Sequence, residues 1–201
     1  MCKISYILRL FVNISFFLLA PLVMAVSDTG GDIAGVNVQS HMKLEGVDSP
    51  LVLNGAGIRY KFFFKIYVAA LYLPESQNDA TKILQDLPPN RMMMHITYGE
   101  VPYEKLVSGW VDGFKDNTEA SVFSILEPRL KRFNQMFSTL HEGDVIQLDY
   151  LPQEGTKVTI KGELKGVIKG ADFNRALLSV WLGENPVTEE LKSALLGLNE
   201  D

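Results

Sequence analysis

The chain has 201 residues, 47% of them hydrophobic, with 24 acidic against 19 basic side chains and a formal net charge of −5. That length and apolar content suit one domain with a proper core, and the acidic balance argues against a nucleic-acid partner. The single cysteine, Cys2, excludes a disulfide framework, so stability has to come from packing.

Residues 1–25 have the character of a targeting signal. Lys3 and Arg9 lead into an apolar run over 10–22, and Val23-Met24-Ala25 puts small residues at the −3 and −1 positions of a cleavage site. The run is short for a membrane span of about 20 residues. The expectation is therefore a signal peptide cleaved after Ala25, leaving an exported protein without a stable membrane anchor. Cys2 has no lipobox before it and leaves with the peptide. A cysteine-free exported chain fits the bacterial periplasm best.

Residues 26–35 are small, polar and glycine-rich and suggest a flexible leader, with a single domain over 36–201. Val36, Val38, Met42 and Leu44 alternate with polar residues apart from Ser40, as in a half-buried strand. Residues 51–73 then form the most concentrated apolar stretch. Gly55 and Gly57 within it imply a bulge, a bend or a close backbone approach. One parity carries Arg59, Lys61, Phe63, Lys65, Tyr67, Ala69, Leu71 and Leu73, a mixed face suited to lining a ligand or to half-solvation. The other carries Tyr60, Phe62, Phe64, Ile66, Val68, Ala70 and Tyr72, and its apolar character predicts contact with the main core. Arg59 needs water or an anionic or polar partner, because an unpaired buried guanidinium costs several kcal/mol.

Asn78 or Asp79 can cap a short helix ending near Leu87, and 91–98 follows as a strand. Met92, Met93 and Met94 alternate faces there, which suits core filling better than copper binding, and His95 fits a satisfied strand residue. Pro102 opens a helix with Tyr103, Leu106, Val107, Trp110, Val111 and Phe114 on one apolar face. A second helix from about Glu119 carries Pro128, which should kink or split it. Three strands over 145–151, 156–160 and 164–168 join by hairpins, and two helices follow, the first capped by Asp172 and the second spanning 188–196. The order of strands, helices, strands and helices indicates an α+β fold with an antiparallel sheet packed by helices on one side.

The common catalytic and metal templates are absent from the sequence: no GxSxG, no HExxH, no phosphate-cradling glycine loop, and His41, His95 and His141 in separate elements. No metal or cofactor is expected. What the residues do resemble is the chalcone isomerase-like family, in its bacterial exported branch. The likeness rests on Asn54-Gly55-Ala56-Gly57-Ile58-Arg59, on the run from Phe64 through Tyr67 to Leu73, and on Phe173-Asn174-Arg175-Ala176-Leu177-Leu178 with Trp181-Leu182-Gly183-Glu184-Asn185-Pro186-Val187. It covers about 36–198.

The resemblance implies an open-faced β-sandwich, a large antiparallel sheet with a helical layer on one face and a ligand cleft between them. In the plant isomerases of this fold a phenolate closes onto an enone; an arginine after GAGx steers the phenolate, and a threonine and a helical tyrosine organise water at the ketone. Arg59 and Tyr103 match the arginine and the helical tyrosine, whereas Tyr67 stands for the threonine and Trp110 for an asparagine. Fatty-acid-binding members instead use the arginine with a tyrosine to hold a carboxylate in an apolar cavity, a combination that Arg59 and Tyr67 reproduce.

The resemblance therefore implies a ligand site of Arg59, Tyr67, Tyr103 and Trp110 for a small apolar or amphipathic anion such as a fatty acid. The alternative is an intramolecular lyase using Arg59 and Tyr103. A third possibility closes the cleft and pairs Arg59 with Glu100 or Glu104. Straight strand would separate Arg59 from Tyr67 by about 26 Å, so the site requires a chain reversal between Tyr60 and Phe64.

Overall fold

The computed structural model describes residues 29–198; the expected signal peptide and its cleavage point lie outside them. The strands are β1 (Thr29–Ile33), β2 (Val36–Gln39), β3 (His41–Met42), β4 (Leu51–Lys61), β5 (Phe64–Leu73), β6 (Asn90–Ile96), β7 (Glu100–Val101), β8 (Leu140–His141), β9 (Val145–Leu151), β10 (Gly155–Ile160) and β11 (Glu163–Ile168). The helices are α1 (Ala80–Asp86), α2 (Tyr103–Asn117), α3 (Ala120–Asn134), α4 (Ala171–Leu182) and α5 (Glu189–Leu195).

Seven strands form one antiparallel sheet in the order β11-β10-β9-β6-β5-β4-β3. The helices cover one face, so the α+β architecture inferred from element order is the one observed. Between sheet and helices lies the larger core, with Ala69, Leu71 and Leu73 of β5, Met92 and Met94 of β6, and Phe114, Phe133, Phe173 and Trp181 of the helices. α4 is the most enclosed helix, buried at Phe173, Asn174 and from Ala176 to Leu182. The opposite face carries a smaller cluster built on Val38, Leu51, Val68, Ala70, Tyr72 and Met93. Met93 thus faces away from Met92 and Met94, as strand alternation requires.

That division reverses one sequence expectation. The wholly apolar parity of β5, Val68, Ala70 and Tyr72, meets the smaller cluster, while Tyr67, Ala69, Leu71 and Leu73 meet the main core. The polar members of the mixed parity are concentrated at the turn, so the remainder of that face is as apolar as its opposite.

Three smaller details stand beside the expectations. Thr29–Ile33, expected within a flexible leader, pairs antiparallel with Val36–Gln39, and the Tyr72 hydroxyl donates to the Gln39 carbonyl at 3.0 Å. Pro128 lies inside α3 without splitting it: the missing N–H removes one rung, and the turns on both sides persist. Gly170 precedes α4 as its N-cap, and Asp172 sits in the first turn, where its carboxylate receives Arg129 Nη1 and Nη2 at 2.8 and 2.5 Å. Asp79 does cap α1, accepting from the Thr81 and Lys82 N–H groups.

Candidate functional site

The site is built on the β4–β5 hairpin. Lys61 pairs with Phe64 across a two-residue turn, and Arg59 stands directly opposite Tyr67. The required reversal is therefore present, and it brings the two side chains onto neighbouring strands. A register shift between Arg59 and Tyr60 leaves Ile66 as the extra residue of a bulge. Ile66 thereby joins the helix-side core despite its even number.

Upstream, a second register shift falls between Leu53 and Gly55. Asn54 sits at this irregularity and is buried; its Nδ2 donates to the Leu195 carbonyl at 2.7 Å and its Oδ1 accepts from the Gln77 N–H at 2.7 Å. From Gly55 the strand is regular, so Gly55, Gly57 and Arg59 share one face. α5 presses on the two glycines: a Cβ at Gly55 would lie 2.1 Å from the Ala194 carbonyl oxygen, and one at Gly57 2.6 Å from the Ala194 Cβ. The glycines accommodate α5, and Arg59 follows on the same face as the first residue there with a long side chain.

Arg59 and Tyr67 open onto a cleft of about 300 Å³ between the sheet and α2. Ile66, Met94 and Ile96 form its sheet wall; Leu106, Gly109 and Trp110 of α2 face them, with Val180 and Val187 alongside. Lys61, Tyr98, Glu100 and Lys105 stand around it. A more polar cavity of about 360 Å³ shares Arg59, Lys61 and Lys105 and is lined further by Asp112, Asp116 and Asn185. Three cations thus stand where an apolar cavity meets a polar one. Among the described residues no carboxylate is paired with Arg59, whose Nη1 donates to the Tyr60 carbonyl. Glu100, one of its suggested partners, instead lies 3.5 Å from His141 Nε2. The cleft is open, so the closed arrangement is not the one adopted.

Tyr67 is buried, and Trp181 Nε1 donates to its hydroxyl at 3.0 Å. Burial pushes the phenol up to about 12, while the Trp181 hydrogen bond and the Arg59 charge pull against that rise. The group consequently stays protonated near neutrality. Because its oxygen accepts from Trp181, its own proton remains free to donate. Trp110 packs edge-on against Trp181 with centroids 5.6 Å apart, and its buried indole N–H has no acceptor among the described residues.

Arg59, Tyr67 and Trp110 therefore converge as expected, and Tyr103 does not. The stripe of α2 along the cleft runs through Lys105, Leu106 and Gly109, with Trp110 at its edge. Tyr103 lies about 100° per residue around the helix from Pro102, past that edge, and packs against the main core. Its backbone N–H donates to Thr139 Oγ1 at 3.2 Å. Sequence reasoning missed Lys105 and the role of Trp181, which sat within a recognised motif but had no assigned partner. Among the described residues no group of three or more His, Cys, Asp or Glu side chains is placed to hold a metal.

Comparison by sequence finds no match among curated proteins. By structure, the chain is similar to a fatty-acid binding protein of Arabidopsis thaliana, with a TM-score of 0.63 and 16% identity, over 81% of this chain and 92% of that one. The likeness concerns the fold. The family model described as chalcone isomerase-like matches residues 30–197. Nearly all of the described structure falls within that match, and the chain belongs to the chalcone isomerase-like family.

Proposed function

We propose that the protein binds a small apolar anion, most simply a fatty acid, with its carboxylate at Arg59 and its tail along the cleft. The observation that carries this reading is the cluster of Arg59, Lys61 and Lys105 at the boundary between apolar and polar cavities, in a chain of net charge −5. An amphiphile satisfies both sides of that boundary at once. Arg59 supplies the charge and Tyr67 a neutral O–H donor. A volume of about 300 Å³ is at the small end for ligand cavities, which favours a short or partly enclosed tail. The fatty-acid binding described for the Arabidopsis relative agrees with this reading.

The lyase alternative loses support from Tyr103, the residue placed at the ketone by analogy, which stands outside the cleft. Residues 1–25 and the absence of cysteine beyond them fit action after export, in the periplasm, with the signal removed after Ala25.

Titration calorimetry with delipidated protein tests the binding reading. A fatty acid should bind and the fatty alcohol of equal length should bind far less tightly. Arg59→Ala should weaken fatty-acid binding roughly ten- to a hundredfold, as expected for losing a charge-assisted hydrogen bond of about 1.5–3 kcal/mol. Equal affinity for acid and alcohol, or no effect of Arg59→Ala, would overturn it.

A further inference from the structure

The tip of the β4–β5 hairpin breaks two ordinary rules together. Its rings are outside: Phe62 is 84% exposed and Phe63 92%, with Tyr60, Phe64 and Tyr98 exposed beside them. Phe64 and Tyr98 stack edge to face at 5.4 Å, which joins the hairpin to the segment after β6. The turn is also built from unusual residues. Phe62 has φ +56°, in the left-handed region that tight hairpin turns normally fill with Gly, Asn or Asp. Two phenylalanines here gain nothing from burial, and Phe62 also costs backbone strain, the kind of local inconsistency that marks a functional segment.

The charge around the rings identifies the partner. Arg59, Lys61 and Lys65 fall within seven consecutive residues that contain no acid, although acids outnumber bases in the chain as a whole. Aromatic rings that enter the acyl boundary, ringed by lysines whose ammonium groups stay at headgroup level, have the composition of an interfacial anchor. We propose that this hairpin tip docks the protein reversibly on an anionic lipid surface. A second copy fits less well, because two such tips meeting face to face would bring their cations together. No helix among the described residues is long and apolar enough to cross a membrane. Lys61 and Tyr98 belong both to this surface and to the cleft lining, which puts the cleft mouth at the lipid headgroups. Docking itself does not depend on the cleft's ligand; only the idea that an apolar anion enters from the membrane rests on the binding function proposed above.

The test uses the exported protein, from which residues 1–25 have been removed, carrying Phe63→Trp, with phosphatidylglycerol vesicles bearing brominated acyl chains. Trp110 and Trp181 are buried, but Trp110 lines the cleft, so the protein without the substitution is measured in parallel and the quenching in excess of it reports position 63. Quenching and a blue shift are expected with these vesicles and much less with brominated phosphatidylcholine. Adding Lys65→Glu should weaken vesicle binding by about fivefold or more, and adding Phe62→Ser should weaken it further. Fatty-acid affinity in solution should not change in Phe62→Ser, which separates failure of docking from failure of the binding function. Absence of quenching overturns the proposal, as does equal quenching by both lipids that ignores Lys65→Glu. A blue shift without lipid, accompanied by dimers in sedimentation, overturns it in favour of self-association.

Discussion

Trp181 Nε1 donates to the Tyr67 hydroxyl across 3.0 Å, joining the most enclosed helix to the strand residue opposite Arg59. The bond fixes the phenol oxygen and leaves its proton free to donate. Removing either partner strands a buried polar group. Trp181→Phe and Tyr67→Phe should each destabilise the fold, by about 1–3 kcal/mol for the unpaired group plus any packing loss. The double variant should lose less than the sum, and urea denaturation of all four proteins measures the coupling. Strict additivity would show that the bond contributes nothing.

Alkaline pH offers a second probe of the same tyrosine. Burial raises the Tyr67 phenol to about 12, against 10.0 for an ordinary tyrosine. Between those values the unfolded chain releases a proton that the native state keeps, so this stabilising contribution is complete below pH 10 and declines as pH climbs toward 12. Tyr67→Phe should flatten the fall in stability over that window. Tyr72 and Tyr150 are also raised by burial, so a residual slope remains. An unchanged slope in chemical denaturation at stepped pH would contradict the assignment.

Gly109 lines the cleft, and a Cβ built there meets nothing within 4 Å. Gly109→Ala should therefore raise stability by up to about 1 kcal/mol through helix propensity. Gly109→Leu has no backbone clash at its Cβ and a side chain long enough to occupy the cleft, so it should reduce fatty-acid binding at least tenfold while the protein stays folded. Full binding by Gly109→Leu, measured by displacement of a fluorescent fatty acid, would place the ligand elsewhere.

Gly55 should respond in the opposite sense. Its added Cβ would meet the Ala194 and Leu195 carbonyl oxygens at 2.1 and 2.7 Å, both backbone atoms that cannot rotate aside. Gly55→Ala should destabilise the protein by about 1–3 kcal/mol by forcing α5 off β4, a shift visible in the denaturation midpoint and in hydrogen exchange along α5.

Much of this arrangement is legible locally. Alternation and turn residues locate β9, β10 and β11, and the capping pattern at Asp79 locates α1. The site implied by the family resemblance requires a reversal between Arg59 and Tyr67, and the hairpin supplies it. Local patterns could not show which face of β5 meets the helices, because Val68, Ala70 and Tyr72 are as apolar as Ala69, Leu71 and Leu73. Periodicity also placed Tyr103 beside Trp110, yet the cleft is narrower than the apolar face of α2 and passes Tyr103 by.

By itself, then, the sequence determined the longer strands and helices and the family, since these follow from residue order within short stretches, and the family resemblance called for Arg59 and Tyr67 to meet. The tertiary structure decided that α5 packs against Gly55 and Gly57, that Trp181, 114 residues away in the chain, holds Tyr67, and that Lys105 joins Arg59 and Lys61. These depend on contacts between distant segments, whose geometry is fixed only when the helices close on the sheet and the bulge at Ile66 offsets β5 against β4.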